Sequence, residues 1–395
     1  MASGLMSPAD QSVRLLMLSH YFEGRRGGIE IVAAALAREL TSLGFGLVWL
    51  ATGEANHSGE PARYRRGSLA ASSVAEKLLR IPYPILYPSA WRAIFRETAR
   101  NDVILVHDAL YMTSIIAYLA ARANRKPLVV VQHVGFVPYA SRLVRNLMKV
   151  ANRCVAAPIL RRADRVIFVS QLTMRHFADI RWQRTPALVF NGVDTHIFSP
   201  ALEGSQASAR RSLGLPVDVS IALFVGRFVE KKGLHVLERM ARRRSDLLFA
   251  FAGHGPLDPE RWGLPNVRIY AGLSGSTLAT LYRASDVLLL PSSGEGFPLV
   301  MQEALACGLA IICGIDTAGA DSRATPFLKA VEVDPGDPDQ TAQLFSEEIT
   351  RVLAHPETEA GRRERFEFAK TRYSWAASCA TYASVLGGVR MDQAR

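Results

Sequence analysis

The sequence is poor in cysteine and lacks any long hydrophobic run, and each shortage removes a class of protein. The four cysteines (Cys154, Cys307, Cys313 and Cys379) form no CxxC pair and have no histidine at metal-ligand spacing. This argues against a zinc site and a disulfide framework, and it fits a reducing cytoplasm. The longest apolar-rich stretch, residues 109–121, is interrupted by Tyr, Thr and Ser and is shorter than a bilayer span. Near the start, the run Leu15 to Leu18 is too short for a signal-peptide core and reads as a first strand. Low-complexity tracts are also missing, and 49% of residues are hydrophobic against 21% charged, so a folded chain is the default.

Acidic residues are scarce in one half only. The net charge is +11, but residues 1–200 hold 25 Lys+Arg against 13 Asp+Glu, whereas residues 201–395 hold 22 against 23. The first half therefore faces something anionic: membrane lipid, nucleic acid or a phosphorylated substrate.

At 395 residues the chain suits two domains. Short buried runs recur with amphipathic segments between them: VRLLMLS (13–19), FGLVWLAT (45–52), DVILVH (102–107), PLVVVQH (127–133), RVIFVS (165–170) and PALVFNG (186–192). This is the pattern of a parallel sheet covered on both faces, a doubly wound α/β domain over residues 1–200. After a linker-like stretch the pattern restarts with SIALFVGR (220–227), DLLFAFAGHG (246–255), VRIYAG (267–272), DVLLLPS (286–292) and LAIICG (309–314). A second domain of the same class is expected over 201–372, with a last helical stretch, about 373–395, returning to the first. The cleft between the two domains is the expected ligand site.

Three segments carry chemistry. VGRFVEKKG (225–233) delivers Gly226, Arg227 and Lys232 just beyond a strand, where open α/β sheets bind ligands; a guanidinium fork and a compact ammonium suit a diphosphate. Lys231 is the less suited lysine, and solvated surface cations remain the plain alternative. GEGFPLVMQEALACG (294–308) follows another strand, with Pro298 placed to open a helix. Free amides around Gly296, Phe297, Leu299 and Val300 can receive phosphate or sugar oxygens. Glu295 lies ahead of that helix, and Glu303 sits inside it among apolar residues, where a carboxylate needs hydrogen-bonding partners such as ribose hydroxyls. GGIE (27–30) follows the first strand, and Gly27 and Gly28 permit close backbone approach. His133 ends a strand, where an active-site role and a structural role both stay open; His20 and His107 are placed similarly, and Asp108 is a candidate base without an evident partner.

Taken with FNGVDTHIFSP (190–200), AGHGP (252–256) and the late YSW (373–375), these segments resemble glycosyltransferase family 4 in order and spacing across most of the chain. The resemblance implies the GT-B fold, two Rossmann-like domains around a cleft, and transfer of a hexose-type sugar from a UDP- or GDP-sugar with retention. It implies that Arg227 and Lys232 bind the diphosphate, Glu295 contacts the transferred sugar and Glu303 grips the ribose. Gly27 and Gly28 would match the loop closing near phosphates and acceptor, and His133 a histidine reaching the donor sugar. Three positions depart from the family pattern: His254 stands where an acidic residue is frequent, Ala310 replaces a frequent proline, and TAGADSRATP lacks an evident acidic residue after the glycine-rich loop.

No DxD stands at a cleft-facing position, so neither a metal ion nor another cofactor is expected. Two other functions compete: a nucleotide-sugar epimerase on the same fold, and a non-catalytic sugar-nucleotide-binding module. In residues 140–155, Arg142, Arg145, Lys149 and Arg153 share one helical stripe, with Leu147, Met148, Ala151 and Val155 opposite; a basic amphipathic helix on an anionic membrane and a core helix with a solvated face both stay open. Residues 62–97 add further basic and aromatic side chains. An anionic membrane surface and a glycan or lipid-linked acceptor are the expected partners, the enzyme being cytoplasmic or peripheral on the inner membrane face. Nucleic acid ranks below the membrane, because no nucleic-acid module is recognisable.

Overall fold

The computed structural model describes residues 13–25, 27–55, 63–74, 83–135, 142–200, 205–292, 297–355 and 357–393; Glu295 and Gly296 lie outside the described residues, as do the side chains of Arg142 and Arg145. The chain divides into two compact units. Unit 1 comprises residues 1–169, 176–189 and 379–395, and unit 2 comprises residues 170–175 and 190–378.

Unit 1 starts with β1 (Arg14–Tyr21), α1 (Gly28–Ser42), β2 (Gly46–Thr52) and β3 (Arg65–Leu69). A short antiparallel pair, β4 (Ala71–Ser72) and β5 (Ile85–Leu86), precedes α2 (Pro88–Arg100), β6 (Val103–His107), α3 (Met112–Ala123) and β7 (Leu128–Gln132). Next comes α4 (Arg142–Ala151), which runs through a π turn at Asn152–Ala156 into α5 (Ala157–Arg162); β8 (Arg165–Phe168) and β9 (Ala187–Leu188) follow, with α6 (Gln171–His176) between them belonging to unit 2 up to Arg175. The parallel sheet has the order β3-β2-β1-β6-β7-β8-β9. Residues 15–18 and 103–106 are fully enclosed, as strands covered on both faces must be.

Unit 2 repeats the scheme. It contains α7 (Ser205–Ser212), β10 (Ser220–Val225), α8 (Leu234–Arg243), β11 (Leu247–Ala252), β12 (Val267–Tyr270), α9 (Gly275–Ala284), β13 (Val287–Leu290), α10 (Leu299–Ala306) and β14 (Ala310–Gly314). It continues with α11 (Ile315–Ala318), β15 (Leu328–Val331), α12 (Pro338–Leu353), α13 (Glu359–Tyr373) and α14 (Trp375–Gln393), whose length beyond Ser378 belongs to unit 1. Its parallel sheet has the order β12-β11-β10-β13-β14-β15. Phe224, Phe249, Phe251, Leu289, Ile312 and Phe345 form the centre of its core.

The division falls at Phe190, not at residue 200, and again after Ser378, because residues 190–198 are held by unit 2. The Val193 amide donates to the Tyr373 carbonyl at 2.6 Å, Ser378 Oγ donates to the Phe190 carbonyl, and Phe190 packs on Phe297 and Tyr373 with ring centroids 5.2 and 5.3 Å apart. The late helical stretch is likewise broken: Ser374 is extended and bridges Val193, separating α13 from α14. Asp321, in the segment TAGADSRATP, accepts from Arg372 and Tyr373 and secures that break. On α4, Leu147 and Val150 are exposed at 60% and 58%, and Met148 and Ala151 are half-buried.

Candidate active site

Each sheet has a place where successive crossovers change direction, and the chemistry gathers there. In unit 2 it lies between β10 and β13, since β11 and β12 extend one way and β14 and β15 the other. Ligands of open α/β sheets bind at the strand carboxyl ends beside such a point. VGRFVEKKG leaves β10 there, and the 297–303 segment follows β13.

Local packing sets the positions of both. Gly233 has φ 77°, and a Cβ on it would stand 2.3 Å from the Pro291 carbonyl oxygen, so only glycine lets the start of α8 press against the end of β13. That contact brings the turn Glu230–Lys232 close to the switch point. The Lys232 chain folds back over the strand end, its Cε 3.8 Å from where a Gly226 Cβ would be, and Lys232 is half-buried while Lys231 is exposed. Arg227 is exposed, and its guanidinium has no partner among the described residues.

Beyond β13, Pro298 takes an extended conformation (φ −67°, ψ 136°) and caps α10 instead of opening it. The amides of Phe297, Leu299 and Val300 have no backbone acceptor among the described residues, which leaves a positive helix end. The Phe297 side chain is core, packed on Phe190 and Tyr373, so only its backbone is offered to a ligand.

Glu303 stands one turn into α10. The residue is half-buried overall, yet its carboxyl is enclosed, and burial pushes it up to about 7, partly opposed by a hydrogen bond from Tyr282. Tyr282 Oη donates to Glu303 Oε2 at 2.8 Å. The other oxygen, Oε1, makes no hydrogen bond among the described residues. One side of this carboxylate is therefore fixed by protein and the other is ready to accept. Tyr282, buried in α9, is missed by motif reading because it precedes the strand that carries the motif; burial and the Glu303 charge hold its hydroxyl well above the usual tyrosine range, so it remains a donor.

In unit 1 the switch point lies between β1 and β6. His20, Glu30, His107, Asp108 and His133 are all buried there. His20 Nε2 pairs with Glu30 Oε1 at 3.1 Å, and the His20 ring stacks on Tyr111 with centroids 3.7 Å apart. His107 Nδ1 and His133 Nε2 share a proton at 2.9 Å. Asp108 answers the question of its partner: Oδ1 accepts from the amides of His133 and Val134 at 2.9 and 3.1 Å. Its φ of 60° is a conformation that Asp tolerates better than most residues. Burial, supplemented by the His20 charge, depresses His133 to about 3, and burial raises Asp108 to about 6. At neutral pH His133 is therefore a neutral hydrogen-bonding group, not an acid.

Gly27 caps α1, but its missing side chain serves the protein itself. A Cβ there would lie 2.1 Å from Glu30 Oε2, whereas nothing lies within 4 Å of one on Gly28. The carboxylate of Glu30 thus folds over the helix start that the sequence offers to a ligand. Among the described residues no cluster of three or more His, Cys, Asp or Glu is arranged to hold a metal ion.

Two Rossmann-like units, with cations and an enclosed carboxylate at the switch point of the second, define a GT-B glycosyltransferase. A sucrose-phosphate synthase of Thermosynechococcus elongatus has the same fold, with a TM-score of 0.76 at 20% identity over 95% of this chain and 99% of its own. The Anabaena protein HepE in complex with UDP has a TM-score of 0.73 at 16% identity, over 95% and 100%. The family described as Glycosyltransferase Family 4 matches residues 26–197, and Glycosyl transferases group 1 matches residues 205–367. D-inositol 3-phosphate glycosyltransferase 2 of Catenulispora acidiphila is 30% identical over 71% of this chain and 70% of its own; the D-inositol 3-phosphate glycosyltransferase of Thermobispora bispora is 27% identical over 92% and 90%. The chain belongs to glycosyltransferase family 4.

Proposed function

We propose that the enzyme moves a hexose from a UDP- or GDP-sugar to a hydroxyl of a lipid-linked glycan or glycolipid, with retention and without a metal ion, at the cytoplasmic face of a membrane. The observation that carries this reading is the pairing, at one switch point, of the Arg227 and Lys232 cations with the accepting Oε1 of Glu303. Cations and free amides suit a leaving diphosphate, and a half-satisfied carboxylate suits a ribose diol. Solved relatives of the same fold hold UDP, or UDP and glucose, which supports a nucleotide-sugar donor. In unit 2, Glu303 is engaged with Tyr282 and Asp321 with Arg372 and Tyr373; in unit 1, Asp108 holds two amides. With these carboxylates engaged in structural bonds, front-face attack is the favoured route. The C1–O bond to the leaving diphosphate breaks as the acceptor oxygen bonds C1, and a diphosphate oxygen takes the acceptor's proton. The four described cysteines are all unpaired, in keeping with a reducing compartment. No helix among the described residues is long and apolar enough to cross a membrane, so membrane contact would be peripheral.

A second acceptor is favoured by the curated relatives, which are named for D-inositol 3-phosphate; a phosphorylated cyclitol also suits a basic first half. A panel of nucleotide sugars with lipid-linked, cyclitol phosphate and no acceptor tests both. Transfer that requires an acceptor and inverts no anomeric centre is the expected result. Isomerised donor without acceptor would establish an epimerase, and donor binding without turnover on any acceptor would establish a binding module.

A further inference from the structure

Helix α2 has three longitudinal faces where a surface helix ordinarily has two. Ala90, Ile94, Glu97 and Thr98 are buried against unit 1. At 100° per residue, Trp91 and Phe95 stand about 40° apart on a second face, and Arg92, Arg96 and Arg100 line a third beside it. Trp91 and Phe95 are exposed at 41% and 36%, and all three arginines are exposed. The exposed apolar side chains Ile85 and Tyr87 lead directly into the helix. The charges do not cancel: Glu97 Oε1 lies 3.6 Å from Arg100 and 3.8 Å from Arg96, while its Oε2 binds Arg65, so one carboxylate serves three arginines. Arg92 has no partner among the described residues.

The neighbouring elements extend this face. The crossovers containing α2, α3 and α4 all step in one direction across the sheet, from β3 through β6 and β7 to β8, and right-handed crossovers of one direction share one face. Helix α2 packs on α3, which exposes Leu119, and α4 exposes Leu147 and Val150 beside Lys149 and Arg153. Large apolar side chains scattered singly are ordinary; aligned on one helix arc and bordered by arginines, they have a shared function.

We infer that this face of unit 1, led by α2, docks on an anionic lipid bilayer, with Trp91 and Phe95 entering the headgroup boundary and Arg92, Arg96 and Arg100 engaging lipid phosphates. It rests on the lipid-linked acceptor reading for its purpose, not for its physics. A convex aromatic arc with a cationic border fits an interface where apolar groups sink and cations stay among phosphates. A second copy of this chain fits poorly, because a two-fold contact would set arginine against arginine.

The test is sedimentation of the full chain with vesicles of equal parts phosphatidylglycerol and phosphatidylcholine, against phosphatidylcholine alone and against a single-stranded oligonucleotide. Salt-sensitive binding to the anionic vesicles alone is expected. Trp91→Ser with Phe95→Ser should weaken it at least about tenfold, and Arg92→Gln with Arg96→Gln about fivefold per charge. Brominated lipid should quench the native tryptophan emission, and Trp91→Phe should remove that quenching. Equal binding to neutral vesicles, tighter binding to the oligonucleotide, undiminished binding by both double variants, or no quenching would overturn the inference. Transfer to a water-soluble acceptor, measured on the same variants, should be unchanged; its persistence alongside failed docking would separate this inference from the proposed activity.

Discussion

The two switch points have the same topology and differ in how their polar side chains are engaged. In unit 2, Arg227 has no partner among the described residues, Glu303 Oε1 accepts nothing and the start of α10 has free amides. In unit 1 the polar groups are largely engaged with one another: Glu30 covers the start of α1 and bonds His20, His107 bonds His133, and Asp108 bonds two amides, while His20 Nδ1, His107 Nε2 and Asp108 Oδ2 are buried without a hydrogen-bond partner among the described residues. The first arrangement suits the proposed diphosphate, and the second ties the strand ends to one another through side chains. Fold alone therefore does not make the two places alike; the residues set on it make them differ.

The comparison breaks first at Lys232. If unit 2 receives the diphosphate, Lys232→Ala should lower kcat/KM by about 10²–10³-fold, a loss far larger than its effect on the thermal midpoint can explain. Steady-state kinetics beside a melting curve decide it; turnover within a few-fold of wild type would remove the cation from the mechanism.

In unit 1 the corresponding deletion should strike stability instead. Asp108→Ala leaves two buried amides without their acceptor and should cost about 2–4 kcal/mol in urea unfolding at pH 7, while Asp108→Asn, which tolerates the same backbone and keeps an acceptor, should stay within about 1 kcal/mol of wild type. The sign of its pH dependence follows from burial. The carboxyl titrates near 6 when folded, above the ordinary 3.8, so wild type should lose ground to Asn as pH rises from 3.8 to about 6. A pH-independent difference would mean that Asp108 is not buried as described.

Glu303 sharpens the contrast through the donor. Its carboxyl ionises near 7 in the unliganded protein, and a ribose diol donates best to the ionised form. Donor affinity should therefore rise about tenfold between pH 6 and 8, with proton release on binding below pH 7, and Glu303→Gln should flatten the profile. Calorimetry in buffers of different ionisation enthalpy measures both.

Much of this was legible in the sequence, and the remainder was hidden for physical reasons. Enclosed parallel strands such as residues 15–18 and 287–290 announce themselves as apolar runs, and the motifs after β10 and β13 fall at the unit 2 switch point where the site is proposed. The strand RRGSL (β3) escapes because Leu69 is its one large apolar residue, and LKAV (β15) because it is only four residues long and broken by an exposed lysine. Tyr282 and Asp321 escape because their roles exist only through partners 21 and 51 or more positions away. The exposure of Leu147 could not be read from periodicity, which marks an apolar stripe but not what covers it.

The finest discrimination lies at the glycine pair, where sequence reading offers both residues to a ligand and packing separates them. Gly27→Ala must push the Glu30 carboxylate aside, and with it the His20 contact; since Glu30 is a flexible chain end, the cost should be only about 1 kcal/mol. Gly28→Ala meets open space in the first turn of α1 and should be neutral or stabilising by about 0.4–1 kcal/mol. Urea unfolding measures both, and the Gly27→Ala, Glu30→Gln double variant tests the cause. If Glu30 carries the effect, the alanine should cost less in the Gln background; if the two penalties simply add, the clash lies elsewhere and unit 1's helix start is open to a ligand after all.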